Sequence, residues 1–247
     1  MQKCCVIIPC YNESDRILKE VFLAFVNKNP AIDFLFVNDG STDDTAEILE
    51  QLSEQHNQIN FLNLATNQGK AEAVRTGMLH CKKLNYNYVG YWDADLSTPL
   101  SEIVRFLTFF DGQIQFLMGS RLKRLGAVVE RTRFRHLTGR VFATFTSIIL
   151  DLPVYDSQCG AKIFDASLID KLFNEKFITK WLFDVELLAR YQLLVGKSSV
   201  LNNVLEIPIL EWKEVKGSKL NFMALIKVPF ELCKINNYYK KQRVDNV

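Results

Sequence analysis

The chain has 247 residues, 48% hydrophobic and 23% charged, with a net charge of +2. That length buries a core without disulfide or metal staples, and the ordinary composition excludes disordered, collagenous and coiled-coil classes. The near-neutral charge excludes a uniformly basic nucleic-acid binder, so no nucleic-acid partner is expected, while a local basic patch stays open.

In chain order, Cys4 to Ile8 reads as a short apolar strand ended by Pro9, with no signal-peptide pattern before it. Ser14 is expected to cap a helix through Lys28, with Ile17, Val21, Phe22 and Phe25 on one face. Phe34 to Val37 is a second strand, and Ser41 or Thr42 caps a helix carrying Ala46, Ile48, Leu49 and Leu52. Asn60 to Leu64 is a third strand, and a helix starts at Gly69 and runs to about Leu84. Tyr88 to Trp92 and Phe116 to Met118 are the fourth and fifth strands, with Pro99 and Glu102 opening a helix between them. Strands alternating with helices imply βαβ units and an α/β fold around a mostly parallel sheet. Ligands of such sheets bind beyond the carboxyl ends of the strands, where the polar clusters fall.

The second half is less regular. From Arg121 to Arg140 there are seven Lys/Arg, Arg131 among them, against one acid, Glu130. An apolar helix over Val141 to Leu150 follows, then Asp156-Ser-Gln-Cys-Gly160, a helix near Ser167 to Asn174, and another opening at Trp181. Leu201 to Leu210 reads as a strand ending at Trp212. The tail from Lys213 to Arg243 carries eight Lys/Arg and two Glu among Phe222, Leu225, Ile226, Phe230 and Leu232. This is one compact domain over 1–220 with an amphipathic basic extension over 221–247. The six scattered Cys form no Cys-x-x-Cys pair and read as reduced thiols. No stretch of about 20 apolar residues offers a membrane span. The 18 Phe fit either core or an apolar surface facing lipid.

Asp93 and Asp95, two residues apart past a strand end, can both reach one hard cation, Mg²⁺ or Mn²⁺; equally, they fit a solvated turn with a helix cap. Asp39, in Asn38-Asp-Gly-Ser-Thr-Asp-Asp-Thr45, sits where it can meet a ribose or base edge, or serve only helix capping. Asn67-Gln-Gly-Lys70 opens a helix with a glycine and a cation, which suits phosphate. It is not a Walker A loop, because Leu64 stands at the first glycine position, and no Gly-x-Gly-x-x-Gly supports a dinucleotide enzyme. Arg121, after Gly119-Ser120, suits bidentate phosphate contact, although basic runs are usually solvated faces. His56, His80 and His136 form no metal pair.

Taken in order, Ile7-Ile-Pro-Cys-Tyr-Asn-Glu13, Asn38 to Asp43, Asn67 to Lys70, Trp92-Asp-Ala-Asp-Leu-Ser-Thr-Pro99, Gly119-Ser-Arg121, Asp156 to Lys162, Trp181-Leu-Phe-Asp-Val-Glu-Leu187 and Gly217-Ser-Lys219 resemble family 2 glycosyltransferases. The likeness is to the dolichyl-phosphate β-glucosyltransferase and polyprenyl-phosphate sugar transferase branch. It implies a GT-A fold and inverting transfer of a hexose, glucose or mannose, from a UDP- or GDP-sugar. It also implies Mg²⁺ or Mn²⁺ and a lipid-phosphate acceptor. By the same resemblance Pro9, Tyr11, Glu13, Asp39 and Lys70 bind the donor, and Asp93 and Asp95 bind metal and diphosphate. Arg121, Arg131 and Lys219 face the acceptor phosphate, and Asp95, Arg121 and Asp156 form the catalytic set. Asn38 departs from the family, standing where it has an acid, and the N-terminal anchor of the eukaryotic members has no counterpart in this sequence.

A lipid monophosphate, with a second pKa near ~6, is a nucleophile that needs positioning and no general base. A hydroxyl acceptor, the alternative, needs a base such as Asp156 or Asp184. A non-catalytic nucleotide-sugar-binding protein is the third reading. The basic run and the apolar segments Val141 to Leu150 and Phe222 to Phe230 suggest a protein peripheral to the cytoplasmic face of a membrane.

Overall fold

The computed structural model describes residues 2–214 and 222–245, apart from the side chains at 133–135, 222–227 and 243–245. The elements are β1 (Cys4–Cys10), α1 (Lys19–Lys28), β2 (Ile32–Asn38), α2 (Thr45–Gln55), β3 (Ile59–Asn63), α3 (Lys70–Cys81), β4 (Tyr88–Trp92), α4 (Ser101–Leu107), β5 (Phe116–Ser120), β6 (Val128–Glu130) and α5 (Arg133–Leu150). There follow β7 (Ala161–Asp165), α6 (Ile169–Phe173), α7 (Phe183–Val195), α8 (Lys197–Asn203), β8 (Val204–Pro208), β9 (Glu211–Lys213) and α9 (Phe222–Asp245). The chain divides into two compact units, Met1–Leu96 with Gly160–Lys176, and Ser97–Cys159 with Phe177–Val247.

In the first unit the strands lie in the order β3-β2-β1-β4-β7. The first four are parallel, and β7 runs antiparallel to β4, with Trp92 opposite Ala161. β1 is Cys-Cys-Val-Ile-Ile-Pro-Cys and is buried almost throughout, as a strand covered on both faces must be. Phe22 of α1 meets Phe34 and Phe36 of β2 edge-on at 5.2 and 4.9 Å. Much of the phenylalanine surplus is core: Phe22, Phe34, Phe36, Phe106, Phe116, Phe164, Phe173 and Phe183 are fully buried.

In the second unit β5 pairs parallel with β8, and β6 with β9. Helices α5, α7 and α9 pack on one another. The inward stripe of α9 is Val228, Leu232, Ile235 and Tyr239, all buried at helical spacing. Among the described residues no helix is long and apolar enough to cross a membrane. All six cysteines are free.

The α/β alternation stands, and several boundaries move. α1 begins at Lys19 and not at Ser14: the Arg16 and Ile17 N–H groups close a separate turn on the Glu13 carbonyl, and the Ser14 N–H is held by the Asp43 carboxylate of the turn after β2. α2 begins at Thr45 and not after Ser41 or Thr42, whose atoms bond Asn12 across the loops. α5 starts inside the basic run, eight residues before the expected apolar stretch. Leu201 to Leu210 is not one strand: its first residues end α8, and Val204–Pro208 is β8.

Candidate functional site

The first unit gathers acids, a cation and tight turns at the carboxyl ends of β1, β2 and β4. After β1, the loop holding Tyr11, Asn12 and Glu13 is stitched to the turn after β2. Asn12 N–H donates to Ser41 Oγ at 3.0 Å, Glu13 N–H to Thr45 Oγ1 at 2.8 Å, and Asn12 Oδ1 accepts from Thr42 N–H at 2.9 Å. Glu13 also pairs with Arg16 at 2.6 Å. Pro9, one residue before the end of β1, and Tyr11 are partly exposed on this edge. Asn12 and Leu96 adopt φ of 53° and 51°, the left-handed region that costs a non-glycine residue about 1–3 kcal/mol. Both stand beside candidate residues, where such strain is commonly held by the surrounding structure.

Asp39 is buried, and its two oxygens accept the N–H groups of Gln68 and Gly69 at 2.8 Å each. It braces the Asn67–Lys70 turn against the N-terminus of α3, so those two amides are engaged by protein. Gly40, at φ 65°, lies under the same turn, where a Cβ would stand 2.6 Å from the Thr66 carbonyl carbon. Asn38, the departure from the family pattern, uses both ends of its amide: it donates to Asn63 Oδ1 at 2.9 Å and accepts from Ser41 N–H at 3.1 Å.

Lys70 forms an ion pair with Asp93 past the end of β4. The Asp93 carboxylate lies directly on Gly160, where an added Cβ would come within 1.9 Å of Oδ2, while Asp93 N–H donates to the Gly160 carbonyl at 3.1 Å. Asp95 follows in the same turn, partly exposed. The bare α-carbon of Gly160 thus makes room for a carboxylate whose neighbour two residues on is also an oxygen donor. Two carboxylates at this spacing suit Mg²⁺ or Mn²⁺, which complete their shells with phosphate oxygens and water. Gly160 and Lys162, a lysine fully buried in β7 with Nζ 5.4 Å from the Tyr91 ring centre, belong to the quoted motifs, but spacing alone assigned them nothing.

The second unit holds a separate cluster. Arg121, just past β5, donates from Nε and Nη2 to both oxygens of Asp156 at 2.7 Å, and its backbone N–H adds a third bond at 3.0 Å. Its guanidinium and that of Arg131 lie 5.6 and 5.7 Å from the Trp212 ring centre. Burial pushes the Asp156 carboxyl up, but the charge and hydrogen bonds of Arg121, with the charge of Arg131, outweigh it and hold the group below its usual range. Arg140 stacks on Tyr155 with its guanidinium carbon 3.9 Å from the ring centre. Asp184 is buried in the first turn of α7. Lys219, with its Gly217-Ser218 neighbours, lies outside the described residues.

The family model for glycosyl transferase family 2 matches residues 5–173. Dolichyl-phosphate beta-glucosyltransferase ALG5C of Trichomonas vaginalis is 32% identical, over 95% of this chain and 71% of its own length. The dolichyl-phosphate beta-glucosyltransferase of Saccharomyces cerevisiae is 30% identical over 87% of this chain and 68% of its own. Among solved structures, Mycobacterium tuberculosis glucosyl-3-phosphoglycerate synthase superposes with a TM-score of 0.68 at 15% identity, covering 96% of this chain and 80% of that one. Its complex with Mn²⁺, UDP-glucose and phosphoglyceric acid has a TM-score of 0.65 at 15% identity, covering 94% and 80%. The fold is the expected α/β, GT-A type.

Proposed function

The chain belongs to glycosyl transferase family 2, and on that premise we propose that it transfers glucose from UDP-glucose to a dolichyl or polyprenyl phosphate, inverting the anomeric carbon. In this reading Pro9, Tyr11, Glu13 and Asp39 shape the nucleoside site, and Lys70 approaches the diphosphate. Asp93 and Asp95 hold Mg²⁺ or Mn²⁺, which when bound offsets charge on the departing diphosphate. Lys70 supplies a further positive charge there. Arg121, Arg131 and Lys219 receive the acceptor phosphate.

The observation that carries the choice of acceptor is the state of Asp156. A hydroxyl acceptor requires a base, and a carboxylate gripped at both oxygens by Arg121 and held below its usual pKa is a poor one. A phosphate dianion needs only orientation and charge neutralisation, which the arginines suit. The nearby apolar face of α5 and the basic run fit an enzyme that meets its lipid at a membrane surface.

The test is purified protein with UDP-glucose, Mn²⁺ and farnesyl phosphate. Solvent-extractable glucosyl lipid with β configuration is expected. No lipid product from any nucleotide sugar, together with glucosylation of a soluble hydroxyl acceptor, would overturn the reading. Chelation with EDTA is expected to stop transfer and added Mn²⁺ to restore it; full activity in EDTA would remove the metal from the proposal.

A further inference from the structure

Neither motif nor resemblance singles out Glu206, yet it stands behind the arginine cluster. From β8 its Oε2 accepts the Tyr155 N–H at 2.8 Å and its Oε1 the Asp156 N–H at 2.6 Å. These are consecutive backbone donors, so one carboxylate grips the stretch of chain that carries both partners of the cations. Asp156 carries Arg121 through three hydrogen bonds, and Tyr155 carries Arg140 through its ring. A carboxylate suits the position because it offers two acceptors and no donor; an amide would turn an NH₂ against one of the two N–H groups. Burial pushes the Glu206 carboxyl up, the two N–H bonds pull it down, and the Asp156 charge pushes it up again, with a net rise. A cavity of about 300 Å³, lined among others by Arg140, Ala143, Ser147, Pro153 and Tyr155, opens against the same loop. Its lining mixes the apolar Ile148 and Val154 with the hydroxyls of Thr144 and Ser147 and the Arg140 guanidinium, a mixture that suits a phosphate joined to an apolar chain.

We propose that Glu206 is a positioning residue for the acceptor: through the Tyr155–Asp156 backbone it sets the direction of Arg121 and Arg140 toward the acceptor's phosphate. This rests on the lipid-phosphate reading above. Its two hydrogen bonds run to the loop that carries the arginines, so its removal is felt at the acceptor and not at the donor.

The experiment compares wild type, Glu206→Gln and Glu206→Ala with UDP-glucose, Mn²⁺ and farnesyl phosphate, with Gln as the isosteric variant should Ala fail to fold. Glu206→Gln is expected to raise KM for farnesyl phosphate about tenfold, the scale of losing a hydrogen bond to a charged group. KM for UDP-glucose should stay within about twofold, because the donor site is not touched. Added to Asp156→Asn, Glu206→Gln should cost less in acceptor KM than it does in the wild type, because the Arg121 arm is already disturbed and only the arm through Tyr155 and Arg140 is left to lose. Equal changes in the two KM values, or effects that add, would mean a merely structural role and overturn the proposal. Wild-type behaviour of Glu206→Gln in an active enzyme would overturn it while leaving the function intact. A wild type that glucosylates no lipid phosphate would overturn the acceptor reading and this inference with it.

Discussion

Single residues in this protein hold loops before they hold ligands. Asp39 has each oxygen committed to a backbone N–H of the Asn67–Lys70 turn, so Asp39→Asn leaves one N–H facing an amide NH₂. The expected loss is about 1–3 kcal/mol of stability, read by urea unfolding; an unchanged midpoint would show that the turn is held by other contacts. Gly160→Ala forces a Cβ onto Asp93. It should leave the fold intact and lower kcat by about 100-fold, the scale of a 1 Å misplacement at a reacting centre, with the metal-dependent stabilisation by UDP lost in a thermal melt. Asp43 gives a pH signature. Although burial opposes it, hydrogen bonds from Thr45 and Ser14 hold its carboxyl at about 2. A group whose folded pKa is depressed adds stability above its unfolded value, and that stability is lost as the pH falls through the folded one. The melting-temperature gap between wild type and Asp43→Asn should therefore be constant from neutral pH to about 5 and close below about 4. A gap that widens in acid would contradict the assignment.

The elements show what pattern alone carries. Strands β1 to β5 are legible because each is an apolar run ended by polar turn residues, and the acids at Asp93 and Asp95 are visible as strand-end residues. β7 is not, because Ala-Lys-Ile-Phe-Asp carries a lysine at its second position, and only the fold reveals that Lys162 is buried there. The roles of Asp39 and Asp156 were equally closed to sequence, since their partners lie 29 to 35 residues away and no spacing rule joins them. The C-terminal helix is similar: its basic character is plain, but its anchor is not. Tyr239 Oη donates to Glu186 at 2.8 Å and accepts from Arg190 Nε at 3.0 Å, completing a buried Glu–Arg pair whose guanidinium stacks on Phe177. Burial, followed by the Glu186 charge, pushes the phenol's pKa well up, so it remains a donor across the working pH range. Tyr239→Phe should destabilise the protein by about 1–3 kcal/mol through the unsatisfied buried pair, with faster amide exchange in α9 and α7. Exchange unchanged in both helices would mean that apolar packing alone holds α9.

At the scale of the whole molecule, a net charge of +2 gives little overall attraction to an anionic surface, so the proposed membrane contact would rest on how charge and apolar area are placed. On α5, Leu137, Val141, Phe145 and Ile148 are 65, 50, 47 and 70% exposed and follow one another at helical spacing, next to the cationic run that ends at Arg140. A stripe of this kind is suited to insertion at the headgroup boundary, with the cations meeting anionic lipid. The expected result is co-sedimentation with phosphatidylserine-containing vesicles and not with neutral ones, falling as salt shortens the screening length from about 10 Å at 0.1 M to about 3 Å at 1 M. Leu137→Asp with Val141→Asp changes exposed positions outside the acceptor cavity, so the fold should hold while vesicle binding drops at least about tenfold, as two charges in the insertion face each oppose entry. Transfer to a short water-soluble acceptor should persist in that variant, since the chemistry needs no bilayer. If vesicle binding survives both high salt and the double substitution, the α5 face is not the membrane contact, and the lipid reaches the arginines by another surface.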